Sequence, residues 1–471
     1  GVSDFPYPAF ATPESSVITT TAYAHGAETE RLLGDSATDW DDGAGLNGIA
    51  NTPVWKAVDE ALEWEWPLVI RRFSDGPGFA EDGTVFEFRV VDGYGRAVPG
   101  REPIAVTVRA ATGHLGGTFI ETPGRLGPYQ NEEGHLYFFM EPSETDNRFM
   151  AVRSTDFGVS WREVDGPNRP RADDLEGVAA TRVGSTVHLL HQVTEEVFYH
   201  AFELGDGESP GEWRVDSESI ATPAEPPTQY AALAARSDAS LVAFYGGPRE
   251  LYLQIRSAEG RWSQPAAVGT HTSAILSGPV LASGPGDVVS LAYTAQDGRG
   301  YVRHYLPDGS LTPAQLISTN LGTQDPENGA ILPLVIFPQT GTTAIVYREA
   351  DGFLYERRLS RERQLSPAVR ISEHTVVSNA VDSEQAGADL VRYGTSLHLL
   401  FIDADTGSIY HTQADRQGNW RVPRAVVENI QGSWVRGSIH SDASRNPVYG
   451  FVYDAGSQGG SGFNRYFALP L

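Results

Sequence analysis

The chain has 471 residues, with 61 acidic against 35 basic side chains and a formal net charge of −26 at pH 7. Such an acidic chain repels nucleic acids and anionic membranes at long range, which excludes a nucleic-acid partner. The sequence contains no cysteine, which excludes disulfides, thiolate metal sites and cysteine nucleophiles. No apolar run approaches the roughly 18 residues of a membrane-spanning helix, which excludes membrane insertion.

Residues 1–117 do not follow the pattern of the rest of the chain. A helix start signal at Thr52 and an apolar face after it predict one short helix over 52–64. Alternating segments at 85–92 and 104–110, separated by a Gly-Tyr-Gly turn, predict a β pair. This pair resembles bacterial immunoglobulin-like modules, so we interpret 1–117 as a small sandwich-like accessory domain. An alternative extends this domain to Arg153.

From about residue 118 three markers recur in a fixed order, with a period of about 50 residues. The first is an apolar strand after a polar turn, at 134–139, 185–192, 240–245, 287–293, 342–347, 395–401 and 446–453. The second is a strand usually centred on tyrosine, at Phe149, Tyr199, Tyr252, Tyr301, Tyr355, Tyr410 and Tyr466. The third is a turn before tryptophan or leucine, at Trp161, Trp213, Trp262, Leu311, Leu365 and Trp420.

These markers predict an all-β fold, a seven-bladed β-propeller over 118–471. Small residues precede each first marker, as at 177–180 and 230–234, and they suit an innermost strand A that is followed by strands B, C and D. The seventh unit lacks its third marker. We therefore expect a strand from the N-terminal side to complete the last blade. A ring of six blades, closed by the Trp161 strand, is the alternative.

Residues 154–161, with the sequence STDFGVSW, match the Asp-box pattern Ser-x-Asp-x-Gly-x-x-Trp. The chain therefore resembles sialidase-like propellers, which carry such bacterial neuraminidase repeats. The resemblance implies a structural turn between strands C and D, away from the ligand face. It supports the fold and says little about chemistry.

In a propeller the D-to-A and B-to-C connections open on one face, where ligands bind. Aromatic rings stack on sugars and charged planar groups hold hydroxyls or carboxylates, and this face is rich in both. The predicted ligand-binding residues are Arg125, Asp146, Asp174, Glu176, Tyr230, Arg348, Glu384, Trp434 and Arg436. The same connections also contain Glu141, Glu195, Arg249 and Asp403.

Two enzymatic alternatives use the same face. The resemblance to sialidases implies an arginine that binds a carboxylate, and Arg125 before Leu-Gly-Pro occupies a similar place to their Arg-Ile-Pro motif. A polysaccharide lyase would use histidine and tyrosine, as in His188 and Tyr199. His188 and Tyr199-His200 have counterparts in the sixth unit, which favours packing over catalysis. The catalytic residues therefore remain unknown, and neither a metal ion nor another cofactor is predicted.

The leading hypothesis is a secreted or surface-exposed propeller that recognises glycans or another cell-surface ligand. The start at Gly1 without methionine favours a processed, extracellular product. Glycoside cleavage by a sialidase-like hydrolase or a lyase is one alternative. Another is a structural or receptor-binding subunit of an extracellular assembly, formed through the N-terminal domain.

Overall fold

The chain divides into two compact units, Gly1–Thr112 and Gly113–Leu471. The predicted boundary lies five residues later, between 117 and 118. The computed structural model describes six strands of the first unit. In the second unit it describes all residues except 114, 118–123, 142–147, 166–168, 172–176, 193–195, 208, 223–230, 247–250, 269–274, 296–298, 322–332, 378–386, 429, 431 and 455–463. Within the part of the chain described, no helix has the length and apolarity needed to cross a membrane.

The first unit contains a four-stranded antiparallel sheet in the order β2-β1-β5-β6 and a separate hairpin, β3-β4. Their bounds are β1 Thr19–His25, β2 Glu30–Leu32, β3 Val54–Val58, β4 Ala61–Glu65, β5 Thr84–Val91 and β6 Ile104–Val108. The pairing of β5 with β6 confirms the β pair predicted from the sequence.

The helix predicted over 52–64 is wrong, because β3 and β4 pair there with Trp55 opposite Trp64. Thr52 and Pro53 form a good helix start, but the same segment also contains two tryptophans and two valines. Aromatic and β-branched residues fit the pleated surface of a strand better than a helix.

The second unit is a seven-bladed propeller, as predicted, and not a six-bladed one. Within the described part of this unit, six blades have four antiparallel strands each and the last has three. Strands A to D of blade 1 are β7 Tyr129–Gln130, β8 Leu136–Met140, β9 Met150–Ser154 and β10 Arg162–Glu163. Those of blade 2 are β11 Val178–Val183, β12 Thr186–Gln192, β13 Val197–Leu204 and β14 Gly211–Ala221. Those of blade 3 are β15 Ala231–Ala235, β16 Leu241–Gly246, β17 Leu251–Arg256 and β18 Ala266–Ala267.

The strands of blades 4 to 7 have the same order. They are β19 Ile275–Ser283, β20 Val289–Ala295, β21 Gly300–Tyr305, β22 Gln315–Ser318; β23 Leu334–Phe337, β24 Thr342–Arg348, β25 Phe353–Leu359, β26 Val369–Thr375; β27 Ala388–Tyr393, β28 Ser396–Ile402, β29 Ile409–Ala414, β30 Arg424–Val427; β31 Val435–Ser441, β32 Pro447–Asp454 and β33 Asn464–Pro470. A one-turn 3-10 helix, Pro285–Asp287, separates β19 from β20.

The A strands form a closed ring. From β11 to β31 each A strand contacts the A strand of the next blade, and β31 contacts β7. The remaining step from β7 to β11 is bridged by a hydrogen bond from Arg182 to the backbone oxygen of Gln130. Connections from distant parts of the chain therefore meet at the two ends of one central channel.

An N-terminal segment completes the last blade, as the sequence predicts. The Tyr466 backbone N–H donates to Gly113 O at 2.7 Å, and the Leu115 N–H donates to Asn464 O at 2.9 Å. Residues on the N-terminal side of blade 1 thus lie along the outer edge of β33. This pairing closes the ring and covers an edge that would otherwise offer unpaired backbone groups.

The hydrophobic core consists of layers between neighbouring blades. The largest layer joins blades 7, 1 and 2 and contains Trp434, Phe138 and Phe202. Further layers join each following pair of blades. Blade faces therefore pack on each other, while the inner edges of the A strands face the channel.

The 154–161 turn lies between β9 and β10, the place that the resemblance implies. Asp156 Oδ1 accepts hydrogen bonds from the Ser154 hydroxyl at 2.7 Å and from the Ser160 N–H at 2.8 Å. Trp161 Nε1 donates to Gly158 O at 3.1 Å. In four other blades the residue of the third marker forms an isolated antiparallel β-bridge with the last residue of strand C. These residues are Trp262, Leu311, Leu365 and Trp420.

Candidate functional site

The central channel contains a cavity of about 420 Å³. Most of its wall consists of small and aliphatic residues of the A strands, such as Ala179, Ala231 and Leu334. Where the structure describes this wall, four charged residues interrupt it, Arg125, Arg182, Asp389 and Arg436. The whole chain has a net charge of −26, whereas the charged residues of the described channel wall are mainly arginines. The channel wall therefore differs chemically from the rest of the protein.

An ion pair between Arg125 and Asp389 marks one mouth of the channel. Arg125 precedes β7 of blade 1, and Asp389 is the second residue of β27 in blade 6. Arg125 Nη2 donates to Asp389 Oδ1 at 2.9 Å and to Leu390 O at 3.1 Å. The Arg125 side chain remains 38% exposed, whereas that of Asp389 is 5% exposed. Arg125 is thus the accessible member of the pair, at the end where D strands lead into A strands.

Blade 7 fixes the other oxygen of Asp389. Its Oδ2 accepts hydrogen bonds from the Gly437 N–H at 2.9 Å and the Tyr449 hydroxyl at 2.7 Å. Burial, reinforced by the Asp389 carboxylate, holds the pKa of Tyr449 well above its ordinary value, so the phenol stays protonated as a donor. The carboxylate therefore connects three blades across the closure of the ring.

Arg436 lies behind this pair and is almost fully buried. Its Nη1 donates to Val435 O at 2.7 Å and to Ala388 O at 3.1 Å. Burial lowers the pKa of Arg436 to about 10, with repulsion by Arg125 acting in the same direction and Asp389 acting against it. For Arg125, burial alone lowers the pKa, but the adjacent Asp389 outweighs it and the pKa is raised.

The structure brings two of the predicted ligand-binding residues together, Arg125 and Arg436. Trp434 is fully buried and stacks on Phe138 with ring centroids 6.3 Å apart, so it packs blade 7 on blade 1. Arg348 Nε donates to Val376 O at 2.9 Å, and this arginine does not line the cavity. The other predicted residues, Asp146, Asp174, Glu176, Tyr230 and Glu384, lie outside the described residues.

The additional polar residues of the B-to-C connections do not line the cavity where they are described. Asp403 accepts hydrogen bonds from the Thr406 hydroxyl at 2.7 Å and the Thr406 N–H at 3.1 Å, so it stabilises its own turn. Glu141 is buried, while Glu195 and Arg249 lie outside the described residues. The described part of the site is therefore centred on the channel mouth.

Sequence reasoning missed Asp389 and Tyr449. The sequence predicts ligand-binding residues in the connections between strands, whereas Asp389 lies within strand A and Tyr449 within strand B. A signal was present, because Asp389 places a carboxylate in a segment of small and apolar residues, GADLV. An acid in such a segment needs a buried partner, and Arg125 provides it.

The histidines that suggested a lyase belong to blade packing. His188 Nδ1 lies 2.6 Å from the Tyr199 hydroxyl, and the two rings stack. His191 points to the other face of its strand, towards Phe149. In blade 6 the equivalent His398 stacks on His411. None of these side chains lines the described cavity wall, which agrees with the packing interpretation.

Among the described residues of the cavity wall, Asp389 is the only carboxylate. Glycoside hydrolysis commonly requires two. No group of three or more histidine, cysteine or acidic side chains that could hold a metal ion occurs among the described residues. The arrangement that is present can hold a polar group by hydrogen bonds from Arg125.

No family model and no curated protein matches the sequence. Among solved structures, the BP39L lectin from Burkholderia pseudomallei is similar with a TM-score of 0.52 at 13% identity, over 74% of this chain and 100% of that chain. A lectin from Aleuria aurantia, described as a six-bladed β-propeller, has a TM-score of 0.39 at 12% identity over 68% of this chain and 96% of its own.

An α-L-arabinanase from Penicillium chrysogenum has a TM-score of 0.41 at 14% identity, over 76% of this chain and 97% of its own. At these identities the likeness to the Burkholderia lectin concerns the fold alone.

Proposed function

We propose that the propeller recognises glycans and that the sugar binds at the channel mouth around Arg125. One observation carries the proposal: a partly exposed guanidinium, fixed by a buried carboxylate, lies at the wall of a cavity of about 420 Å³. This volume is within the usual range for small-ligand pockets, roughly 300–1,000 Å³.

The geometry of Arg125 supports sugar binding. Both described hydrogen bonds of its guanidinium start from Nη2, which leaves Nη1 for a ligand. A planar guanidinium can donate to neighbouring oxygens of one sugar ring. The lectin identity of the similar structure from Burkholderia pseudomallei adds support at the level of the fold.

The same proposal includes the cellular setting. A protein that binds glycans outside the cell must itself be secreted or exposed on the cell surface, and we propose such a location for this chain. The unit Gly1–Thr112 would then present the propeller or join it to partner chains. A relationship to sialidase-like propellers rests on the 154–161 turn and concerns the scaffold, not the chemistry at Arg125.

A glycan array probed with the purified chain tests the proposal. The glycan that binds is then titrated against R125A and against R392A. Arg392 is a matched control, since it follows Asp389 on β27 but donates to Gly394 O at 2.6 Å and does not line the cavity. We expect R125A to weaken binding at least about tenfold, because a charge-assisted hydrogen bond is lost, and R392A to leave it unchanged.

An unchanged affinity in R125A would place the sugar elsewhere on the molecule. The same samples are assayed for product release from arabinan and from acidic polysaccharides. Release of product would show that the protein cleaves glycosides instead of only recognising glycans. If the array shows no binding and the assay shows no product, a role as an assembly subunit is favoured.

A further inference from the structure

The charged groups of the channel wall point to the kind of ligand that the cavity holds. We propose that the wall between Arg125 and Arg182 binds a small oxyanion, such as a carboxylate. A free carboxylate ion and a carboxylate carried by a glycan share this chemistry. The site lies in the cavity of the proposed function, but it follows from the charge of the wall and does not require that glycans bind.

The described wall of the cavity has a surplus of positive charge. It contains the guanidinium groups of Arg125, Arg182 and Arg436 against the single carboxylate of Asp389, so two positive charges remain unbalanced there. Burial lowers the pKa of Arg436 to about 10, and this side chain therefore still carries its charge at pH 7. Partly buried charges without a counter-ion are costly. An anion bound at this wall would therefore stabilise the protein.

Arg182 is fixed by neutral partners. It lies on β11, where its Nε donates to Gly184 O at 2.6 Å and its Nη1 donates to Gln130 O. Backbone carbonyl groups orient a guanidinium but do not neutralise its charge. Burial lowers the pKa of Arg182, and the opposing influence of Tyr129 and of the exposed Glu132 does not overcome it. Neither described hydrogen bond starts from Nη2, so this group can donate to a ligand.

Arg125 has hydrogen-bond donors that its ion pair does not use. Both described bonds, to Asp389 Oδ1 and Leu390 O, start from Nη2. Within the described part of the chain, Arg125 Nε is buried without a hydrogen-bond partner, so the ion pair leaves this guanidinium incompletely satisfied. Because the side chain is 38% exposed, its Nη1 can reach a ligand in the cavity.

Tyr129 shows that the two arginines are neighbours. Its hydroxyl donates to the backbone oxygen of Arg125. Burial raises the pKa of Tyr129, while Arg125 and Arg182 both act in the opposite direction. Both guanidinium groups therefore lie within Coulomb range of one phenol. Since this phenol stays protonated, it neutralises neither of them, and an anion between them is attracted by both.

The site lies at the step of the ring between blades 1 and 2. In the described ring β7 is the shortest A strand, with the two residues Tyr129–Gln130, and the hydrogen bond from Arg182 bridges it to β11. Arg125 precedes β7, whereas Arg182 belongs to β11. An anion held by both arginines would connect the same two blades. Because it binds the folded ring and not the unfolded chain, it should raise the Tm.

Thermal melting of the full chain tests the site with sodium acetate as the probe, in a Tris buffer that contains no other oxyanion. We expect acetate to raise the Tm of the wild type in a saturable way, beyond the gradual effect of sodium chloride at the same concentrations. R182Q should lose the saturable part, because it removes one of the two guanidinium groups.

R392Q is the matched control and should keep the saturable response. Arg392 occupies the position on β27 that Arg182 occupies on β11, and it likewise donates to a glycine oxygen, that of Gly394, at 2.6 Å. Unlike Arg182, it does not line the cavity. Any general effect of salt on an acidic protein is therefore common to both variants.

Two further variants keep the proposal testable if R182Q does not fold. R125Q removes the other guanidinium and should also lose the saturable response. R182K keeps a positive charge without the planar fork, so it should respond only at several-fold higher acetate concentrations. A wild type without a saturable shift, or a shift that R182Q or R125Q retains in full, would overturn the proposal.

A matched pair of glycans identifies the source of the carboxylate. Galacturonate trimer and its methyl ester have the same sugar units, but only the acid carries negative charge. If a glycan is the source, the wild type should bind the acid at least about tenfold more tightly than the ester, because charge-assisted hydrogen bonds are stronger than neutral ones. Acetate should then compete with the acid, and R182Q should lose the preference.

The anion site and the glycan function can fail separately. A saturable acetate response, together with an array on which no glycan binds, would assign the site to a free anion and remove the glycan function. Binding of neutral glycans without any acetate response would keep the proposed function and overturn the anion site.

Discussion

Tyr466 illustrates how single residues hold the ring closed. It lies on β33, its ring contacts Trp161 at 5.6 Å between centroids, and its hydroxyl lies 2.7 Å from His440 Nε2. The ring covers Gly158, where an added Cβ would overlap the tyrosine ring. The glycine of the 154–161 turn is therefore needed for space as well as for its positive φ.

Gly158→Ala should destabilise the protein by about 3 kcal/mol, because it combines a left-handed backbone with a clash against Tyr466. Gly184→Ala is the matched control, since Gly184 also has a positive φ, of 59°, but no atom within 4 Å of the added Cβ. It should cost only about 1 kcal/mol. Urea denaturation of both variants measures the difference, and equal losses would show that the close approach is unimportant.

At this scale the sequence predicts roles better where a residue acts alone than where it acts through partners. The position of Arg125 at the channel wall is predictable, because a connection before an A strand leads to the channel mouth. The burial of Trp434 is not visible in the local sequence, since it depends on Phe138, some 300 residues away. Asp389 escapes prediction for the same reason, as the partners of its carboxylate lie in blades 1 and 7.

The element that closes the ring is short but central. Leu115 donates its N–H to Asn464 O at 2.9 Å, and its side chain belongs to the largest core layer. Its two contributions can be separated by substitution. Leu115→Ala removes the side chain and keeps the backbone donor, whereas Leu115→Pro removes both.

We expect Leu115→Ala to lower the free energy of unfolding by about 2–3 kcal/mol, as for other truncated core leucines. Leu115→Pro should cost clearly more and should also promote self-association, because the edge of β33 becomes unpaired. Urea denaturation and light scattering of the full chain measure both effects. If the two variants behave alike, the side chain matters and the strand pairing does not.

Elements that recur in six or seven units are predictable, because repetition averages out the ambiguity of single segments. The apolar B strands, the C strands and the turns before tryptophan or leucine all occur where the pattern places them. The single helix predicted over 52–64 has no second copy to correct it, and β3 and β4 occupy that segment. Local start signals are outweighed there by the strand preference of residues such as Trp55.

At the scale of the whole molecule, neutral histidines are a common feature of the blade interiors. Burial lowers the pKa of His188, His398 and His440 to about 4 and that of His411 to about 3. Burial likewise lowers the pKa of His200 and His304. Packed blades thus tolerate these rings only in the uncharged form.

The sign of the resulting pH dependence is set by linkage. The unfolded chain binds protons at these histidines near pH 6.5, whereas the folded chain does so only at lower pH, near pH 4 for His188, His398 and His440. Stability is therefore complete above pH 6.5 and declines below it. Each fully protonated ring with a folded pKa of about 4 costs about 3 kcal/mol. Because a typical domain is stable by only 5–15 kcal/mol, a few protonations suffice to unfold the ring.

We therefore expect the free energy of unfolding, measured in urea from pH 7.5 to 4.5, to be flat down to pH 6.5 and to fall steeply below it. His440→Gln should lose about 2 kcal/mol less than the wild type over the acidic part of the range, because one titrating group is removed. The relief of negative charge repulsion on acidification acts in the opposite direction and is common to both proteins. A profile in which His440→Gln and the wild type lose stability in parallel would show that this histidine is not buried as a neutral ring.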